Sequence, residues 1–133
     1  GARLPGQALE LETVMHGHLA AATRWTGLVL VLADLRDAST TVARAVRVLE
    51  AARVLSMPAA ALLAEAVAGE VPEPLTPAGR ILIPQTGRVR GIAGALLGAA
   101  IPLQLLAERL ARARGVNPDT LGREDAAQAA AHA

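Results

Sequence analysis

The run Leu28-Val29-Leu30-Val31-Leu32, closed by Ala33-Asp34, constrains the fold more than any other part of the chain. Five consecutive apolar residues, two of them β-branched, offer no polar face to water, so the segment suits a parallel strand covered on both sides better than a half-exposed one. Such a strand is predicted to lie in the centre of its sheet. The residues that follow supply the crossover a parallel neighbour needs. Val42, Val46 and Leu49 form an apolar stripe at helical spacing, Arg44, Arg47 and Glu50 lie towards water, and Asp37, Ser39 or Thr40 caps the start.

The rest of the chain alternates in the same way. Leu4, Ala8, Leu11 and Met15 share one helical face, which predicts a helix over 5–15 that ends near Gly17. Ala59 to Leu63 is ambiguous: alanine propensity favours a helix and the alternating topology favours a strand. Pro72, Pro74 and Pro77 mark 69–79 as a loop, because each removes a backbone donor and fixes φ. Arg80 to Pro84 reads as a short strand. A long helix follows from Gly91 to Arg114, with Pro102 inside it and Gly115 as a left-handed stop. Asn117-Pro118-Asp119 makes a turn. Residues 1–125 are read as one domain and 126–133 as a tail.

These elements define an α/β fold, expected to be a three-layer sandwich around a parallel, Rossmann-like sheet. Three strands are few, since sheets usually have about 4–6. The expectation is therefore that the domain's first part precedes Gly1, and that this chain alone exposes an edge or a face of its sheet.

Composition removes several functions. All thirteen basic residues are arginine, so no lysine is available for a Schiff base. Cysteine is absent, which removes thiol catalysis, disulfides and thiolate metal sites. The arginines are scattered, the net charge is only +1 and Trp25 is the sole aromatic residue, so neither a phosphate-binding stripe nor a base-stacking surface for nucleic acid is present. The start lacks a signal-peptide pattern, and the longest apolar stretch, 92–107, falls short of the roughly 18–20 residues that would span a bilayer. The reading is a cytoplasmic protein with no membrane partner, in which 92–107 is a buried helix.

Three segments together resemble the sugar isomerase (SIS) domain family. Glu10-Leu11-Glu12-Thr13-Val14-Met15-His16-Gly17-His18-Leu19 is similar to the acidic helix and His-Gly-Pro segment of the isomerase part of glucosamine-6-phosphate synthase. Ile101-Pro102-Leu103-Gln104-Leu105-Leu106-Ala107 looks like the family's Pro-x-Gln-x-Leu-Ala helix, and Arg114-Gly115-Val116-Asn117-Pro118-Asp119 like its Gly-x-x-x-Asp turn. The order and spacing also match, over nearly the whole chain.

The resemblance implies the C-terminal part of a SIS domain that acts on a phosphorylated ketose or amino sugar by aldose–ketose isomerisation. It implies a homodimer with a shared active site and neither a metal nor an organic cofactor. His16 takes the family's ring-opening histidine role, since an imidazole can both take and give the protons this step needs. The family's proton-moving glutamate and phosphate loop would fall upstream of Gly1. His18 stands where the family has proline, and Thr120 to Ala126 contains no counterpart of the synthase lysine. These departures suit a relative that does not use a Schiff-base lysine. They leave open a non-catalytic regulatory module that binds a sugar phosphate, or a structural dimerisation fragment.

Each candidate residue also has a plainer role. His16 suits a packing or capping position at a helix end. Glu12, four residues before it, can orient His16 or simply be solvated. His18 is placed on the substrate side; a metal would need a third imidazole, and only His132 in the tail remains. Arg88 could hold the substrate phosphate with Arg90, or lie in water. Gln104, polar in an apolar helix, is expected to bond loop backbone. Gly94 and Gly98 are expected to let their helix approach the sheet or a second subunit.

Overall fold

In a computed structural model, the described residues are 9–23, 25–33, 38–84 and 92–115. The chain divides into two compact units, 6–100 and 1–5 with 101–133. The larger unit holds a parallel sheet of three strands, β1 (Leu28–Leu32), β2 (Ala59–Ala64) and β3 (Gly79–Ile83), in the order β1-β2-β3. Helix α1 (Leu11–Thr13) precedes β1, α2 (Ala38–Val54) joins β1 to β2, and α3 (Glu65–Ala68) follows β2. Helix α4 (Ile92–Ala113) begins in the larger unit and ends in the smaller. This is a small α/β fold. Asp37, Arg88, Arg90, the Asn117–Asp119 turn, His132 and the tail 126–133 lie outside the described residues.

The register separates the faces of the sheet. Leu28, Leu30 and Leu32 align with Ala59, Ala61 and Leu63, and side chains in register share a face. That face packs against α2, whose Val42, Ala45, Leu49 and Ala52 join Leu30, Leu32, Ala61 and Leu63 in one buried core. The stripe read at 42, 46 and 49 is thus the inward face of α2, widened by Ala45 and Ala52. Ser39 and Thr40 lie inside the helix and do not cap it.

The other face carries Val29, Val31, Leu62, Ile81 and Ile83. Leu62 and Ile83 are buried, whereas Val29, Val31 and Ile81 are exposed. The central position expected for β1 therefore belongs to β2, and among the described residues β1 is an edge strand with one exposed face. Apolarity on both sides records what a strand can bury, not which layers its neighbours supply.

Topology overrode propensity at 59–64. Alanine is the best helix former, yet this segment pairs in parallel with both neighbours, and small residues let the flanking layers approach the middle of the sheet. Helix α2 stops in a Schellman turn: Ser56 adopts φ 55°, its N–H donates to the Arg53 carbonyl at 3.0 Å, and Met57 N–H donates to Ala52 at 2.9 Å. The predicted loop at 69–79 contains a 3₁₀ turn at Glu73–Leu75, and Val71 and Leu75 bury their side chains in the core. Arg80 fastens it. Its Nε donates to Thr76 Oγ1 at 2.7 Å and its Nη1 to the Ala68 carbonyl at 3.4 Å, while Nη2 is buried without a hydrogen-bond partner.

Gly98 is where α4 meets the sheet. A Cβ there would lie 2.7 Å from Ile83 Cγ2, so only glycine fits without displacement. Ile83 is β-branched and buried, and cannot easily rotate away. Gly98→Ala is expected to cost about 1–3 kcal/mol in overpacking, offset by about 1 kcal/mol of helix propensity. The net loss in urea unfolding should be about 1 kcal/mol, and should vanish when Ile83 is also alanine. Gly115 ends α4 at φ 67°, as expected of a left-handed stop. The expected burial of α4 is not observed: Leu96, Leu97, Ile101, Leu103, Leu105 and Leu110 are all exposed large apolar residues. Gln104 is exposed too and makes no bond to loop backbone among the described residues.

Candidate functional site

Glu12 is in α1, and the chain then winds through a single π turn, Val14–His18, in which Leu19 N–H donates to the Val14 carbonyl at 3.3 Å. The turn breaks at His16 (φ −87°, ψ 18°) and Gly17 (φ 157°, ψ −30°). No atom lies within 4 Å of a Cβ built at Gly17, so glycine is required there by the backbone and not by space. Beyond the kink, Leu19 and Ala22 pack on the core and anchor the segment. Met15, expected on the inner face with Leu11, is exposed.

The kink leaves His16 one turn from Glu12, as their spacing suggests. His16 Nε2 lies 3.5 Å from Glu12 Oε2, longer than a hydrogen bond of about 2.7–3.2 Å. Glu12 Oε1 accepts an ion pair from Arg44 Nη1 at 2.9 Å. One carboxylate thus bridges an imidazole from the π turn and a guanidinium from α2. All three are open to solvent, with side-chain exposures of 79% for His16, 52% for Glu12 and 53% for Arg44. The arrangement can hold Glu12 in place, keep His16 Nε2 turned towards it, and leave His16 Nδ1 available to a ligand.

His18 is exposed in the same turn. No group of three His, Cys, Asp or Glu side chains suited to a metal occurs among the described residues, and no described helix is long and apolar enough to cross a membrane. Arg44 was not among the expected site residues. Its spacing from Val42 and Val46 marks it only as a solvent-facing position of α2, and no local signal ties it to a carboxylate 32 positions earlier. Compared with protein-family models, curated proteins and solved structures, the chain matches none.

Proposed function

We propose that the chain is a SIS-type module of a three-layer α/β domain that handles a phosphorylated sugar, a ketose or an amino sugar, at His16. The observation that carries this reading is the His16–Glu12–Arg44 cluster at a glycine kink, because ring opening needs a histidine that is oriented and also free at one nitrogen. In that step His16 Nδ1 removes the anomeric hydroxyl proton, the bond between the anomeric carbon (C1 of an amino sugar, C2 of a ketose) and the ring oxygen breaks, and the imidazolium returns the proton to the ring oxygen. Glu12 faces the imidazolium that forms and stabilises it. Arg44 keeps Glu12 from swinging into water. His18 and Arg88 are assigned to the substrate side. The subsequent transfer between C2 and C1 needs a carboxylate base, a role the family resemblance assigns to no residue of this sequence. The module works as a homodimer in the cytoplasm, without metal or organic cofactor.

A second reading is favoured by the exposure of His16: a regulatory module that binds the sugar phosphate and does no chemistry. One experiment separates the two. The full-length protein is incubated with a panel of hexose and hexosamine 6-phosphates in D₂O, with proton NMR at C2 and thermal unfolding as readouts. An isomerase exchanges the C2 proton and is stabilised by its substrate. A binder is stabilised without exchange, since any ligand of the folded form raises its stability. Neither effect with any sugar phosphate sinks both readings.

A further inference from the structure

Among the described residues, Arg80 is the one cationic side chain that is not exposed. It is in register with Ala61, on the apolar sheet face that packs against α2. A guanidinium carries five N–H donors. Thr76 Oγ1 takes the Nε hydrogen and the Ala68 carbonyl takes one from Nη1, at 2.7 and 3.4 Å. The second Nη1 hydrogen and both on Nη2 remain, and Nη2 is buried without a partner. No described carboxylate pairs with Arg80: the ion pairs among the described residues join other side chains, and Glu70 and Glu73 of the adjoining loop are exposed. Interior charges are ordinarily paired, because an unpaired one costs stability. The fold thus holds a guanidinium in place by two bonds and sets no described counter-charge against it.

We infer that Arg80 is the receptor for a small organic carboxylate, admitted when the loop 69–79 lifts from the sheet. Two observations choose the ligand. The donors that remain belong to the two terminal nitrogens, which together meet both oxygens of a carboxylate. The site also holds a single positive charge in apolar surroundings, since every other described cation is exposed. A monoanion neutralises that charge, whereas a phosphate dianion would leave a net negative charge buried. The loop supplies the entrance. Among the described residues its backbone bonds are local, with Glu70 N–H donating to Val67, Leu75 to Pro72 and Thr76 to Glu73, until Ala78 N–H reaches Ala59 of β2 at 3.0 Å. Pro72, Pro74 and Pro77 have no N–H to give. The buried side chains of Val71 and Leu75 and the two bonds of Arg80 hold the rest of the loop down. A segment tied in this way opens at a lower free energy than the whole fold, and opening uncovers Nη2.

Propionate is the probe, titrated into the full chain against chloride at constant ionic strength and read by backbone amide NMR and urea unfolding. Amides between Ala68 and Arg80 should shift saturably, with a dissociation constant in the millimolar range, as suits a ligand of so few atoms. The unfolding midpoint should rise with the same saturation, because the ligand binds the folded chain. Inorganic phosphate should bind at least about tenfold more weakly. Arg80→Gln should lose both responses to propionate. The wild-type titration needs no substitution, so it decides the matter even where that variant does not fold. No saturable shift in the loop, an equal response in folded Arg80→Gln, or phosphate bound as tightly as propionate overturns the inference. It does not rest on the sugar-phosphate reading: shifts centred on His16 instead of the loop overturn it and leave that reading standing.

Discussion

His16→Ala is expected to lower C2 proton exchange in a sugar-phosphate substrate by about 10²- to 10⁴-fold, the usual contribution of a positioned acid–base group. Sugar-phosphate affinity should change far less, because the proposed role of His16 is in ring opening and not in phosphate recognition. The neighbours should matter in a different measure. Glu12 touches His16 only at 3.5 Å and both are largely in water, and exposed pairs of this kind contribute little. Glu12→Gln is therefore expected to slow exchange about tenfold or less, and Arg44→Ala by a similar amount because Arg44 acts through Glu12. Quantitative exchange rates for the three variants check this ordering. Full exchange by His16→Ala would remove His16 from the chemistry. A loss as large in Glu12→Gln as in His16→Ala would make Glu12, not His16, the group that moves the proton.

Leu63→Ala should produce the largest loss of stability. Leu63 lies in the middle strand with no exposed surface, on the face that packs against α2. Its truncation removes buried methyl groups and leaves a cavity that strands on both sides keep from collapsing, at a cost of about 2–5 kcal/mol. Domains of this size are stable by only about 5–15 kcal/mol, so much of the folding free energy rests on this one side chain. Urea unfolding should show a large fall in the midpoint with an unchanged slope. Val54→Ala is the natural control: Val54 ends the same core-forming α2 but is exposed, and its truncation should alter stability by less than about 0.5 kcal/mol.

Local pattern was enough to place β1, the inward stripe of α2, the start of β3 within a residue and the full length of α4 with its stop at Gly115. In each case the period of apolar residues, or a glycine with positive φ, is dictated by the geometry of a single segment. The nearness of Glu12 to His16 belongs to the same class, since an i, i+4 pair meets wherever a helical turn forms, whereas the helix read to end near Gly17 is a short α1 followed by a π turn. The alanines of β2 carry no such signal, and neither does Ser56, which takes a turn conformation more common for glycine.

Tertiary structure alone decided the rest. The order β1-β2-β3 moved the most apolar strand to an edge, a matter of which partners the crossovers bring rather than of what the strand contains. The pairing of Arg44 with Glu12 joins elements separated by β1 and is invisible to any periodic reading. The hydrophobic effect is also non-directional. Sequence therefore marks the leucines of α4 as residues that gain from burial, while only the fold determines that Gly98 meets Ile83 of the sheet and that Leu96 remains exposed.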